Sequence, residues 1–154
     1  SRKARHIQPL FDMVHSVDSI KLAEKLSRLT SPHEPLDVLL QMNVSGEDAK
    51  SGFNAVGWQT DAAVRDQMLI QTRYVAQLSG LRIRGLMTMA PIVDDPEQTR
   101  PVFASLAKLR DALSQSLEIS LPQLSMGMTD DYPIAIEEGA TMLRIGRAIF
   151  GPRE

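Results

Sequence analysis

Cysteine is absent from the 154 residues, which excludes disulfide staples, cysteine-ligated zinc and thiol chemistry and is compatible with a reducing compartment. Histidine is scarce: His6, His15 and His33 are the only three, no metal-ligand spacing links them, and no metal site is expected. Charge of one sign is not in excess. With 17 Lys+Arg against 19 Asp+Glu, the chain lacks the basic surplus that marks nucleic-acid binding. Long apolar runs are missing too, and the chain starts Ser1-Arg2-Lys3-Ala4-Arg5-His6, so neither a membrane span nor a signal peptide is expected and the reading is cytoplasmic. Walker, GxGxxG and GxSxG loops are also lacking.

What is there suits an ordinary globular chain: 43% hydrophobic and 23% charged residues, enough for one cored domain over 1–154. Met13–Val17 reads as a strand, followed by Asp18-Ser19 as cap and a helix with apolar Ile20, Ala23, Leu26 and Leu29. Leu36–Val44 reads as a buried strand, and Ser45–Gly57 as a polar loop. A helix over Asp61–Ser79 is expected to stop at Gly80, and a strand follows over Leu81–Met89. Asp95-Pro96 opens a third helix with the face Val102, Leu106, Leu109 and Leu113. Pro122–Gly127 and Thr141–Gly146 complete five strands, with a short helix from Asp130 to Glu138 between them. Strands separated by helices imply a parallel α/β sheet. A doubly wound sheet and a (β/α) barrel both fit, and because a complete eight-stranded barrel needs about 200–250 residues, five βα units would make an incomplete one.

In either architecture the loops after the strand ends line the ligand cleft. Ser125-Met126-Gly127-Met128-Thr129-Asp130-Asp131 offers a hydroxyl and backbone N–H groups at a strand-to-helix junction, a setting suited to an anion. The same residues also suit a plain turn with Asp130 as helix cap. Arg144-Ile145-Gly146-Arg147-Ala148-Ile149-Phe150-Gly151 brackets a glycine with two arginines, so backbone and positive charge can both approach a phosphate. A surface arginine pair fits that pattern equally. His15 reads as a structural histidine, Lys50 as a loop charge, and Met87, Met89, Met126 and Met128 as core or cleft-wall residues.

Taken together, these segments resemble one family. His15-Ser16-Val17-Asp18-Ser19, Gln41–Ser45 with Lys50-Ser51-Gly52, Gly85-Leu86-Met87-Thr88, Leu124–Asp131 and Arg144–Gly151 are similar, in order, to the signature strands of the YggS/PROSC-type pyridoxal phosphate (PLP) homeostasis proteins. The resemblance implies a TIM-type barrel of the alanine racemase kind that binds PLP through a lysine on its first strand, acting as a carrier or regulator without established catalysis. It implies that Ser125, the backbone around Met126, Gly146 and Arg147 hold the cofactor phosphate, and that Arg144 faces the pyridine nitrogen. An arginine there disfavours protonation of that nitrogen, which suits storage better than transamination. Residue 147, often threonine in relatives, is arginine here.

The resemblance covers the C-terminal two-thirds of such a barrel, Ser1-Arg2-Lys3 falling just after the third strand, so the first three strands and the Schiff-base lysine have no counterpart. The expectations that follow are weak or no PLP binding by this chain alone, Lys50 as the hypothetical substitute lysine, and open barrel edges that favour self-association or an N-terminal partner fragment. Two other readings stay open. One is a fragment of a fold-type III amino-acid racemase, which needs that lysine and a tyrosine base, whereas Tyr74 and Tyr132 lie in no matching context. The other is an interaction module without cofactor.

Overall fold

The computed structural model describes residues 10–47 and 51–151. Their order is β1 (Met13–Val17), α1 (Ile20–Leu29), β2 (Leu36–Asn43), β3 (Phe53–Asn54), α2 (Ala62–Ala76), β4 (Leu81–Met87), a 3₁₀ turn (Pro96–Thr99), α3 (Arg100–Leu117), β5 (Gln123–Ser125), α4 (Tyr132–Glu137) and α5 (Arg147–Phe150). Helix starts follow side-chain chemistry. The Ser19 hydroxyl accepts from the Leu22 amide, Asp61 accepts from Ala63 and Val64, and Asp95 accepts from Glu97, with Pro96 in the first turn where no amide proton is needed. Among the described residues no helix is long and apolar enough to cross a membrane.

Every strand pairing is parallel, and the main sheet runs β1-β2-β4-β5, with β3 beside the end of β2. Strands adjacent in space are thus taken in chain order without reversal. A doubly wound sheet reverses its order at a switch point; a barrel does not. The alternation of side chains shows the two faces. Val38, Leu40 and Met42 of β2, Ile83 and Leu86 of β4, and Leu124 beside Met126 join the core cluster with Ala23 and Leu26 of α1, Met68 and Val75 of α2, and Phe103, Leu106, Leu109 and Leu113 of α3. Leu39 and Met87 are buried outside that cluster, on the opposite, concave face.

The concave face is strongly curled. β1 and β5 are three pairings apart, about 14 Å along a sheet at ~4.8 Å per strand, yet His15 Nδ1 lies 2.9 Å from Ser125 Oγ. Only a sheet rolled towards closure brings those side chains together. The fold is therefore a partial α/β barrel of the expected kind.

Three local expectations change. Thr141–Gly146 forms no strand but a single bridge, Met142 to Ser125, because the Thr141 hydroxyl takes the Leu124 amide and Gly127 turns β5 away at φ +93°. The fifth strand is instead β3, inside the segment read as polar loop, where Phe53 is buried and pairs with Met42. Gly80 does not stop α2, which ends at Ala76; a Cβ there would lie 2.4 Å from the Ser27 carbonyl, so the glycine permits close contact with α1.

Candidate functional site

The strand ends that form the cleft are tied together by one guanidinium. Arg144, on the segment beside β5, donates from one Nη to Ser125 Oγ at 2.8 Å and from the other to the Thr88 carbonyl at 2.8 Å. Thr88 follows β4, and its hydroxyl donates to the Met42 carbonyl of β2, also at 2.8 Å. Ser125 completes the set by contacting His15 of β1. A side chain from each of β1 and β5 and the exits of β2 and β4 are thereby joined in one polar network.

Both side-chain bonds of Arg144 go to neutral oxygens, not to a carboxylate. Burial lowers its pKa, opposed by the charge of Asp131, whose carboxylate is itself buried and accepts from the Met128 amide at 2.6 Å. His15 is held below the ordinary histidine value, first by burial and then by the positive charge of Arg144. A half-buried cation without an ion-pair partner among the described residues is costly unless something electron-rich shares its space.

Arg144 opens onto a pocket of about 730 Å³, whose wall includes Thr129, Asp130, Gly146, Arg147 and Phe150. A Cβ on Gly146 would meet no atom within 4 Å, so the backbone there borders open space. The Thr129 hydroxyl accepts from the Ala148 amide at 3.4 Å, linking the two sequence loops beside the pocket. Arg147 is exposed and pairs with Asp130. Asp130 is thus an ion-pair partner; the residue preceding α4 is Asp131.

Of the residues singled out from sequence, Arg144, Gly146 and Arg147 line this pocket together. Ser125 and Met126 do not: both are fully buried, the Ser125 hydroxyl is engaged by Arg144 and His15, and the Met126 amide donates to the Met142 carbonyl at 3.2 Å. Lys50 lies outside the described residues. Thr129, Thr88 and His15 join the site without having been singled out for it: the two threonines stood only inside longer segments, and His15 was read as a structural histidine. Thr129 carried a signal, a hydroxyl two residues past Gly127 at a helix start, whereas His15 is 110 positions from Ser125 and carried none.

With this geometry in place, comparison with known proteins gives the class. The chain belongs to the family of the alanine racemase N-terminal domain, whose model matches residues 3–154. Curated relatives named pyridoxal phosphate homeostasis protein match along all of the chain, at 34% identity in Aquifex aeolicus and 42% in Pseudomonas aeruginosa. The chain spans 64% and 61% of their respective lengths. Among solved structures, PipY of Synechococcus elongatus without PLP superimposes at TM-score 0.82 with 35% identity, covering 98% of this chain and 66% of that one. The structure of PipY with PLP bound gives 0.78 at 34% identity, over 97% and 66%. The resemblance read from the signature segments is borne out.

Proposed function

We propose that this chain is the phosphate- and ring-facing part of a noncatalytic PLP-binding protein that serves intracellular PLP homeostasis in the cytoplasm. The observation that carries the reading is Arg144: a half-buried guanidinium bonded to Ser125 and the Thr88 carbonyl, at the mouth of a pocket with Gly146 and Thr129. The PLP-bound PipY relative supports it. The residues fit the group. Thr129 and the backbone at Gly146 and Arg147 would hold the phosphate, Arg144 would face the ring, and Ser125 and Met126 would support them from behind, Ser125 by aiming Arg144. Asp130 is also in the wall, but its pairing with Arg147 offsets its charge. When bound, PLP would supply an aldehyde and a ring able to accept electrons.

Covalent attachment is a separate matter. The described lysines, Lys21 and Lys25 on α1 and Lys108 on α3, sit on helices rather than at strand ends. We therefore propose that the Schiff-base lysine is not among them, and that the chain alone, a single partial barrel, binds PLP weakly. Peptide mapping by mass spectrometry after PLP and borohydride is expected to give no adduct on these three lysines. Pyridoxine 5′-phosphate, which has no aldehyde, tests the noncovalent site by calorimetry. Arg144→Gln is expected to weaken its binding about tenfold, the worth of a charged hydrogen bond; equal binding by variant and parent refutes the reading. We likewise propose that the open sheet edge takes a second copy of the chain or an N-terminal partner fragment, and, from the balance of 17 Lys+Arg against 19 Asp+Glu, that no nucleic acid is a partner.

A further inference from the structure

His15 sits on the opposite side of the curled sheet from the pocket loops, and its role follows from counting protons along one chain of bonds. Arg144 can only donate, so Ser125 Oγ is the acceptor in their 2.8 Å bond. The single Ser125 proton is then free for its other partner, His15 Nδ1 at 2.9 Å. Oγ could also accept from an Nδ1–H, but its own proton would then have no acceptor among the described residues; a bare Nδ1 satisfies it, which means a neutral ring with its proton on Nε2. Ser125 is fully buried, out of reach of bulk water.

We propose that His15 is a positioning residue for Arg144: bare Nδ1 takes the Ser125 proton, turns the Oγ lone pair to the guanidinium, and thereby fixes the direction in which Arg144 presents its charge to the pocket. Protonation of His15 reverses the arrangement. Nδ1–H then donates to the second lone pair of the same oxygen, the Ser125 proton loses its acceptor among the described residues, and a second positive charge stands beside Arg144. The depressed basicity of the ring, from burial and then from Arg144, fits this neutral assignment. Other charged groups nearby are otherwise engaged. Asp18, beyond the end of β1, accepts from the Ser19 hydroxyl; Asp37 on β2 pairs with Arg82 and Arg84; Asp131 accepts from Met128. Arg144 is therefore the charge coupled to His15. The consequence for ligand binding rests on the proposed function above, while the coupling itself does not.

The test uses ¹⁵N-labelled protein of this sequence and its His15→Asn variant, whose amide oxygen can accept where Nδ1 does but does not titrate. Nitrogen resonances of His15 and of the Arg144 guanidinium are followed across the histidine range, about pH 8 to about pH 5. The expected result is a bare Nδ1 at the upper end and an Arg144 transition sharing the His15 midpoint in the parent and missing in the variant. A proton on Nδ1 at the upper end, or Arg144 signals that ignore the His15 titration or still shift in the variant, overturns the proposal. Affinity for pyridoxine 5′-phosphate over the same interval then separates the two claims. The parent should lose about tenfold more than His15→Asn, the comparison cancelling titration of the ligand phosphate. Coupled titration without any binding sinks the PLP reading and leaves the positioning role standing; binding with an identical pH profile in both proteins sinks the positioning role.

Discussion

Gly127 turns the chain out of β5 at φ +93°, and a Cβ there would lie 2.7 Å from the Ala135 Cβ and 3.1 Å from both the Tyr132 Cα and the Leu143 Cδ2. Gly139, at φ +92°, has nothing within 4 Å. The pair separates backbone strain from packing. Gly139→Ala carries only the left-handed penalty of about 1–2 kcal/mol. Gly127→Ala adds the displacement of α4 and the segment after it, about 1–3 kcal/mol more. Urea unfolding of the two variants is expected to rank them in that order, and equal losses would mean the α4 contact gives way freely. His15 makes a residue-scale pH prediction. Its folded pKa is depressed, so its contribution is fully present above the ordinary value of 6.5 and is lost as pH falls through the lower folded value. The unfolded chain binds the proton first, and stability declines in that window. Melting temperatures of His15→Asn should decline less over the same interval.

The residues of the two pocket loops were legible because strand-end glycines beside hydroxyls and arginines mark an anion site by chemistry alone. What was not legible is which of them faces the pocket. β5 has three residues, too few for alternation to show that Ser125 points to the concave face and Met126 to the helices. The part of His15 depends on sheet curvature, a property no local window contains.

At the scale of elements, helix caps and apolar faces carried through, Ser19, Asp61 and Asp95 each bonding the first turn they precede. The α3 face differs by one position: Phe103 is fully buried beside Leu106, Leu109 and Leu113, while Val102 is partly buried. The missing strand at Thr141–Gly146 illustrates a different limit: its backbone bonds that of Leu124, Met126 and Gly127, but the Thr141 hydroxyl takes the Leu124 amide and no continuous ladder forms. Elements are also joined by charges that spacing does not announce. Arg100, at the start of α3, donates to Glu97 in the preceding turn and to Glu137 and Glu138 at the end of α4, at 2.7–2.9 Å. The guanidinium is held strongly protonated and the Glu97 carboxyl is pushed below its ordinary range, principally by this hydrogen bonding. Replacing it leaves three carboxylates facing one another. Arg100→Met should lower the melting temperature at low salt and lose much of that effect in molar salt, where repulsion is screened. A salt-independent loss would mean that the side chain acts by packing.

For the whole molecule, chain-ordered parallel strands and the His15–Ser125 contact across them decide in favour of a barrel, which periodicity had left level with a doubly wound sheet. The same topology gives β1 one neighbour, β2, among the described residues, with Phe11 exposed just before it and Ser16 exposed on it. A strand with a free row of N–H and C=O groups pairs with another such strand unless a charge or a cover prevents it. Sedimentation of this chain should show concentration-dependent species heavier than 17.1 kDa. Ser16→Lys places a solvated charge on that edge without touching the core, so it should return the protein to monomer with its melting temperature unchanged. A parent that stays monomeric at high concentration would mean the edge is already covered; a Ser16→Lys variant that still associates would move the contact to the apolar rim of the pocket, where Ile92 and Phe150 are 99% and 85% exposed.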